Sequence, residues 1–174
     1  MKVVVIAGSP RKGANTSIMM KFAYDYAKSK NPDTKFIDLA AGGIDYYRGY
    51  GENYSQTTTQ AAQDIMDADV WLVGTPIYNS FFSGALKNLF EYVNYKATAG
   101  KTAGLAILAS GQIGFTDVQT LLTQLMSYFR VITNPKAVYM TVDQIKDNVI
   151  IDENAKTRLK EMVDETLLLA SRPK

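Results

Sequence analysis

The segment Gly8–Ser17 holds the residues of this 174-residue chain whose types and spacing point most directly to chemistry. It runs from an apolar stretch into a helical pattern and contains hydroxyls, an amide, two cations and two glycines. The free backbone N–H groups and the positive dipole end of a helix N-terminus favour an anion. Three or four such donors could supply much of the roughly 8 kcal/mol that micromolar affinity requires. The segment therefore predicts a phosphate site, although Asn15, Thr16 and Ser17 could instead only cap the helix.

The spacing of the two glycines narrows the kind of phosphate ligand. Gly8 and Gly13 have four residues between them, which does not match the G-x-G-x-x-G pattern of dinucleotide-binding loops. A P-loop has this spacing, but it needs a Lys and a Ser or Thr where this chain has Ala14 and Asn15. Asp38 stands where a Rossmann-type acid would hold a ribose, but without the glycine pattern we interpret it as an ordinary strand-end aspartate. The loop suits a single terminal phosphate, as in FMN.

A second loop, Gly74–Gly84, combines flat apolar side chains with polar ones. Pro76 stiffens the turn, and the other informative residues are Thr75, Tyr78, Asn79, Ser80, Phe81 and Phe82. An isoalloxazine ring has matching needs, since its faces are apolar and its pyrimidine edge carries carbonyl and N–H groups. Ser83 could instead serve only as the N-cap of the next helix, and the two phenylalanines could equally be dimer contacts.

A third loop, Ala109–Gly114, follows another buried strand pattern. Its small residues Ser110 and Gly111, with Gln112 beside them, would let backbone amides approach a ligand closely. Such glycines are also common in tight turns, so this loop adds support only in combination with the other two.

The composition excludes several kinds of chemistry. The chain has no cysteine, which excludes disulfides, thiolate zinc sites, iron–sulfur clusters and thiol redox chemistry. It has no histidine either, which excludes a Ser-His-Asp triad and a histidine-ligated metal. The net charge is +2 with scattered basic residues, which argues against a nucleic-acid surface, and no stretch approaches a membrane span. We therefore expect a cytoplasmic protein without a bound metal, whose chemistry depends on carboxylates or lysines, on proton transfer by tyrosine, or on a cofactor.

Alternating strand and helix patterns position the three loops. Strands are predicted at residues 3–7, 35–39, 70–74, 103–109 and 137–140, and helices near residues 19–26, 57–66, 83–96, 115–129 and 152–170. Thr116 and Gln119 have the spacing of a capping box, and Asn134-Pro135 would stop that helix. Residues 40–56 are predicted to form a surface loop. The alternation predicts an α/β fold with a parallel sheet covered by helices on both faces, as one domain over residues 1–174. Ligands of such sheets bind at the carboxyl ends of the strands, where all three loops lie.

At these loops the chain resembles the NAD(P)H-dependent FMN reductase family of flavodoxin-like proteins. The resemblance runs nearly end to end, and its anchors are Gly8-Ser9-Pro10-Arg11, Asn15-Thr16-Ser17, Pro76-Ile77-Tyr78-Asn79, Ser83 to Asn88, and Ser110-Gly111. Residues 75–87 look especially like the reductases of two-component sulfonate monooxygenase systems. The resemblance implies a flavodoxin-like three-layer sandwich with a five-stranded sheet. It also implies an enzyme that passes hydride from NADPH or NADH to FMN.

The resemblance also implies a set of cofactor-binding residues. Ser9, Arg11, Asn15, Thr16 and Ser17 would hold the FMN phosphate, and Pro76, Ile77, Tyr78, Asn79, Ser110, Gly111 and Gln112 would border the isoalloxazine. The chain differs from many members at Ile77, where they carry Glu. No residue is assigned as a catalytic acid or base, because the cofactor carries the chemistry.

The resemblance further implies partners, and it leaves two alternatives for function. The expected partners are small-molecule redox substrates, further copies of the chain in a homodimer or homotetramer, and a flavin-dependent monooxygenase that receives reduced FMN. The Tyr-rich segment 40–56 could cover the open flavin face or form a subunit contact, and Arg48 could then meet dinucleotide phosphates. One alternative is a reductase that keeps its FMN and reduces quinones, azo dyes or metal ions. The other is a non-enzymatic flavodoxin-type electron carrier, although such carriers are usually strongly acidic.

Overall fold

The computed structural model describes residues 1–172, in which strands and helices alternate along the chain. The strands are β1 (Val3–Ala7), β2 (Thr34–Asp38), β3 (Val70–Tyr78), β4 (Phe81–Phe82), β5 (Thr102–Ala109), β6 (Ile132–Thr133), β7 (Val138–Thr141), β8 (Ile145–Lys146) and β9 (Val149–Ile150). The helices are α1 (Asn15–Lys30), α2 (Gln56–Asp67), α3 (Gly84–Glu91), α4 (Phe115–Tyr128) and α5 (Glu153–Ala170). Short 3₁₀ turns lie at Leu39–Ala41, Tyr95–Ala97 and Val142–Gln144.

The central sheet has the parallel order β2-β1-β3-β5, and its fifth position is shared by β6 and β7. Both short strands pair parallel with β5, one with its start and the other with its end. Pro135 lies between them and has no N–H to donate, which explains why the edge is interrupted there. The predicted five-stranded parallel sheet is confirmed, with β4 added antiparallel to β3 and a separate β8–β9 hairpin.

The helices cover both faces of the sheet, so the predicted three-layer sandwich is also confirmed. β1 is buried along its whole length, and its side chains alternate between the two faces. Val4 and Ile6 pack in the core beneath α2, α3 and α4. Val3 and Val5 pack in the second core, beneath α1 and α5. A continuous β-branched run is therefore explained by a strand that is covered on both sides.

One predicted helix end and the stop signal predicted for another helix were wrong. The helix expected at residues 83–96 ends at Glu91, and Asn94 begins a 3₁₀ turn by accepting a hydrogen bond from the backbone of Lys96. The helix predicted at residues 115–129 does end at Tyr128, but it is stopped by Arg130, which adopts a left-handed backbone conformation with φ of 57°, and not by Asn134-Pro135. The single domain over residues 1–174 stays a prediction.

The reversal of strand order between β1 and β3 brings the first two loops together. The backbone N–H of Gly8 donates to the carbonyl of Gly74 at 2.8 Å, which extends the β1–β3 ladder by one residue. The hydroxyl of Ser83, which caps α3, donates to the carbonyl of Gly8. The start of α3 is thereby tied to the end of β1, directly below the point where open α/β sheets bind ligands.

No helix within residues 1–172 combines the length and the apolar character that crossing a bilayer would require.

Candidate active site

A cleft of about 400 Å³ lies at the carboxyl ends of β1, β3 and β5. All three loops singled out in the sequence contribute to it. Its lining consists of Ser9, Arg11, Gly13, Ala14, Asn15, Thr16, Pro76, Ile77, Tyr78, Leu108, Ala109, Ser110 and Val142. The volume is near the lower end of the roughly 300–1,000 Å³ that is typical of a site for one small organic ligand.

The first turn of α1 has backbone donors that no described residue satisfies. Its N-cap is Ala14, whose side chain cannot accept a hydrogen bond, and the backbone N–H groups of Asn15 and Thr16 find no acceptor within residues 1–172. In α2, α3 and α5 a side-chain oxygen of Ser55, Ser83 or Asp152 accepts from the N–H of the third helical residue, whereas α1 has no such side-chain cap. Because these groups face the cleft, the start of α1 is suited to an anionic ligand.

Two side chains at the same turn also lack partners in the described part of the chain. Thr16 is only 1% exposed, yet its hydroxyl forms no hydrogen bond with residues 1–172 while the residue lines the cleft. The guanidinium of Arg11 is exposed and contacts no carboxylate or carbonyl there. A phosphate would satisfy both groups, and charge-assisted hydrogen bonds are the strong ones. The residues present therefore fit the phosphate of FMN.

A hydrogen bond between Ser9 and Tyr78 joins the first two loops. Ser9 is fully buried, and its hydroxyl lies 3.0 Å from the hydroxyl of Tyr78. The same Ser9 oxygen accepts a bond from the backbone N–H of Arg11 at 3.3 Å. Ser9 thus fixes the shape of the first loop in addition to lining the cleft.

The second loop is a tight hairpin between β3 and β4. Asn79 and Ser80 form its tip with φ values of 49° and 63°, the left-handed pair expected of a type I′ turn. This geometry places Asn79 outside the cleft lining, whereas Pro76, Ile77 and Tyr78 line it. The side chain of Ile77 also packs toward Gly114, at the start of α4. An apolar residue at this position therefore joins the second loop to the third.

The third loop offers unpaired polar groups at the other end of the cleft. Ser110 lines the cleft, and Gly111 and Gln112 follow it without lining it. The backbone N–H groups of these three residues have no acceptor within the described chain. The capping box predicted from Thr116 and Gln119 was wrong, because α4 begins after Gly114 with no side-chain cap and Gln119 bonds to Tyr139 and to the carbonyl of Pro135. The fit to the polar edge of isoalloxazine rests on these free amides.

Ser17 is the predicted phosphate residue whose side chain is directed elsewhere. Its hydroxyl donates to Oδ1 of Asp38 at 2.9 Å, and the residue lines a different cavity. The structure therefore brings Ser9, Arg11, Asn15 and Thr16 to the cleft and leaves Ser17 one position further along α1. Sequence reasoning missed the lining residues Gly13, Ala14, Leu108, Ala109 and Val142. Of these, Val142 could not be predicted from the residues around it in the sequence. It follows β7, and the position of that strand in the sheet brings it to the cleft.

The Tyr-rich segment 40–56 packs against α3 through Tyr47 and Tyr54, whereas Tyr46 and Tyr50 are exposed. Tyr47 stacks on Tyr54 at 6.1 Å between ring centroids, and both rings meet Tyr92 edge to face. Burial raises the pKa of Tyr92 to about 12. Arg48 lies over the ring of Tyr54 and donates to the carbonyl of Asn53. Up to Ser55 the segment forms no strand or α-helix, as predicted, but it has an ordered aromatic cluster.

Asp45 ties this segment to the start of α2. The backbone N–H of Ser55 and the hydroxyl of Thr58 donate to its carboxylate at 2.6 and 3.0 Å. These bonds, chiefly the one from Ser55, hold the pKa of Asp45 below its ordinary value of 3.8. The carboxylate therefore contributes stability that is fully present above the unfolded pKa and is lost as the pH falls through the lower folded pKa.

The Asp45→Asn variant tests this linkage. We expect it to unfold at a lower temperature than the wild type at neutral pH, since the charged acceptor is lost. The gap should stay constant down to about pH 5 and then shrink as the wild-type carboxylate is protonated. Thermal unfolding of both proteins between pH 7 and about pH 2.5 measures this difference in unfolding temperature. A gap that does not change over the acid range would contradict the role given to Asp45.

The family model of NADPH-dependent FMN reductases matches residues 1–145, which include all three loops of the cleft. The chain belongs to this family. The match confirms the family predicted from the sequence. The chain is accordingly an NAD(P)H-dependent flavin oxidoreductase with FMN as its cofactor.

Individual relatives of this FMN reductase are similar over nearly their whole length. The chain is 26% identical to an NAD(P)H-dependent FAD/FMN reductase of Geobacillus thermodenitrificans, over 96% of this chain and 92% of the relative. It is 29% identical to an NADPH azoreductase of a Bacillus species, over 95% of this chain and 90% of the relative. The fold is similar to that of an NADH:FMN oxidoreductase solved in its apo form, with a TM-score of 0.83 and 22% identity over 99% of this chain and 91% of that one.

Proposed function

We propose that this FMN reductase holds the FMN phosphate at the turn between β1 and α1, and the isoalloxazine between the ends of β3 and β5. The observation that carries the proposal is the uncapped start of α1. There the N–H groups of Asn15 and Thr16, the Thr16 hydroxyl and the Arg11 guanidinium lack partners within residues 1–172. Such a convergence of donors is costly to leave unsatisfied, and a phosphate dianion would satisfy it.

The side chains of the cleft bind and orient, and none of them needs to exchange a proton. When bound, FMN supplies the redox chemistry by accepting hydride from the reduced nicotinamide. Ile77 and Leu108 provide apolar walls, and the free amides at residues 110–112 provide partners for a polar ring edge. Tyr78 holds Ser9 and thereby keeps the phosphate turn at a fixed distance from the walls.

The activity is tested by the visible spectrum of the purified protein and by the oxidation of NADH and NADPH. We expect steady oxidation when free FMN is added. A protein that consumes neither dinucleotide, with or without FMN, would contradict the proposed function. Turnover without added FMN would show that the cofactor is retained.

Thr16 and Ser17 form a matched pair of variants for the phosphate turn. Thr16→Val removes the hydroxyl with little change in volume, and we expect FMN affinity to fall roughly tenfold because a charge-assisted bond is lost. Ser17→Ala should have a clearly smaller effect, since the Ser17 hydroxyl points to Asp38. Flavin fluorescence titration measures both. An equal loss in the two variants would mean that the phosphate does not lie where we place it.

A second candidate function is an FMN-holding reductase of azo dyes, quinones or metal ions. The 29% identity to an NADPH azoreductase favours it. Since the chain is an oxidoreductase, the electron-carrier alternative is no longer supported. Flavin that co-purifies, together with reduction of an azo dye or a quinone without added FMN, would favour this candidate over the release of reduced FMN.

We propose three further points on partners and location. The substrates are small redox molecules, as for the relatives of the family. The chain assembles as a homodimer or homotetramer, for which the half-exposed Phe81 at the tip of the second loop is a candidate contact. Reduced FMN passes to a flavin-dependent monooxygenase, and the cytoplasmic location expected from the sequence stays a prediction.

A further inference from the structure

A second cavity, of about 610 Å³, lies beside the first turns of α1. We call it the α1 groove; its walls come from α1, the end of β2, the β8–β9 hairpin and the start of α5. Thr16 lines the cleft, whereas Ser17, the next residue, lines the groove. The groove therefore has a lining of its own and leaves the cleft free for FMN. Its volume lies in the range that is typical of a site for one small organic ligand.

The apolar part of the groove has aromatic walls. Phe22 and Phe36 line it and are both half-buried, and Ile18 and Val149 extend the apolar surface. Aromatic side chains pair favourably with another aromatic ring, in offset-stacked or edge-to-face contacts. The walls therefore suit a ligand that carries an aromatic ring.

A carboxylate with a free oxygen lies at one end of the groove. Asp38 is the last residue of β2, and its Oδ1 accepts bonds from the hydroxyl of Ser17 and from the backbone N–H of Ala40, at 2.9 and 3.0 Å. Its Oδ2 accepts no bond from residues 1–172. One oxygen of a half-buried carboxylate is thus left for a donor on a ligand.

The charges of the groove indicate which donor fits. Lys21 pairs with Asp25 on α1, and Lys156 pairs with Glu153 on α5. Within residues 1–172, no Lys or Arg lies within ion-pair distance of Asp38, so its negative charge is left without a partner. A ligand ammonium would neutralise this charge through a charge-assisted hydrogen bond, whereas a ligand carboxylate or phosphate would be repelled.

We propose that the α1 groove is a second ligand site, which takes an aromatic amine. The ring lies against Phe22 and Phe36, and the ammonium donates to Oδ2 of Asp38. The bound amine also strengthens FMN binding. Asp38 is joined through Ser17 to the helix turn that faces the cleft, so its negative charge opposes the FMN phosphate until the ammonium neutralises it. This effect on FMN rests on the proposed function, whereas the amine site itself does not.

Three probes of similar size and different charge test the ligand class. They are phenethylamine, phenethyl alcohol and hydrocinnamate, which carry an ammonium, a hydroxyl and a carboxylate. Each is titrated into full-length, isotope-labelled protein saturated with FMN, and the shifts of the backbone amide signals measure both the affinity and the place of binding. We expect phenethylamine to bind roughly five- to tenfold more tightly than the alcohol, with hydrocinnamate weakest and the shifts centred on the groove.

Asp38→Asn tests the role of the carboxylate. The variant keeps an oxygen that can accept from Ser17 and Ala40, but it loses the charge. Phenethylamine should then bind about as weakly as the alcohol binds to wild type. Asp117→Asn is the control, because it removes an exposed carboxylate from α4, on the opposite face of the sheet, and it should leave the affinity for phenethylamine unchanged.

A second pair of variants tests the place of binding without altering Asp38. Val149 and Ile151 are 56% and 55% exposed, but only Val149 lines the groove. Val149→Lys should weaken phenethylamine binding at least about fivefold, because it adds a like charge to the wall of the site. Ile151→Lys should weaken it no more than about twofold.

The coupling is tested by titrating FMN with and without saturating phenethylamine, with flavin fluorescence as the signal. We expect the amine to raise the affinity of wild type for FMN about two- to threefold at low ionic strength, and to have no effect in Asp38→Asn. Because linkage is reciprocal, FMN should raise the affinity for phenethylamine by the same factor. An affinity for FMN that the amine does not raise would overturn the coupling.

The outcomes separate this inference from the proposed function. The amine site would be overturned if phenethylamine did not bind, bound no more tightly than the alcohol, bound equally to Asp38→Asn, or shifted only signals of the cleft. Each of these results could occur while FMN binds and NADH is consumed. Failure of wild type to bind FMN or to oxidise either dinucleotide would instead overturn the proposed function.

Discussion

Arg11→Ala is expected to lower the affinity for FMN roughly 10- to 100-fold at low ionic strength. Arg11 lines the cleft, and its guanidinium has no carboxylate partner within residues 1–172, so its donors are available to a phosphate. Because the side chain is exposed, salt should screen part of the effect, and the loss should be smaller at high ionic strength. Titration of flavin fluorescence at two salt concentrations measures both features.

Two comparisons make this result specific. Riboflavin lacks the phosphate, so its affinity should be the same for the wild type and for Arg11→Ala. Lys12→Ala removes a neighbouring cation that does not line the cleft. We expect it to lower the affinity for FMN no more than about threefold, because Lys12 attracts the phosphate only at long range. FMN affinity that is unchanged in Arg11→Ala, or a loss that is as large for riboflavin, would count against a phosphate site at this turn.

Gly8→Ala is expected to destabilise the fold and to abolish FMN binding at micromolar concentrations. A Cβ at this position would lie 2.6 Å from the carbonyl oxygen of Gly74 and 3.2 Å from carbons of Leu86. The first contact is with backbone, so it can be relieved only by moving β1 away from β3. We expect a loss of about 3 kcal/mol in the free energy of unfolding, at the upper end for overpacking. For a chain of this length that corresponds to a melting temperature lower by roughly 6–12 °C.

The consequence for binding follows from what Gly8 connects. Its N–H bonds to Gly74 and its carbonyl accepts from Ser83, so a shift here moves the phosphate turn relative to the second loop. Gly84→Ala is the control, because a Cβ there meets no atom within 4 Å and the residue does not line the cleft. Thermal unfolding and FMN titration of both variants measure the effect. A Gly8→Ala protein with wild-type stability and affinity would show that the close approach of the two loops is not needed.

The sequence predicts the sheet well because its central strands are buried on both faces. A run such as Val3–Ala7 has no alternation of polar residues, and only a strand covered by helices on two sides explains it. Helix ends were harder to predict. Arg130 ends α4 in a left-handed conformation, although no Gly or Pro at that position predicts one. The end of α3 at Glu91 depends on local hydrogen bonds made by Asn94.

The site could be predicted as a set of loops, but not as a set of side-chain directions. Thr16 and Ser17 are neighbours with similar hydroxyls, yet one faces the cleft and the other bonds to Asp38, because successive helical residues point about 100° apart. Asn79 has a suitable amide, but a turn with two left-handed residues places it at the tip of the hairpin. Val142 comes to the cleft from the end of β7, about 28 residues beyond the last residue of the third loop. These placements depend on tertiary geometry that residue types do not encode locally.

A crystal structure of the protein with bound FMN tests the central claim most directly. We predict electron density for the phosphate within hydrogen-bonding distance of the Thr16 hydroxyl and of the backbone N–H groups of Asn15 and Thr16, with the Arg11 guanidinium beside it. Density that places the FMN phosphate elsewhere, with these donors still unpaired, would contradict the account.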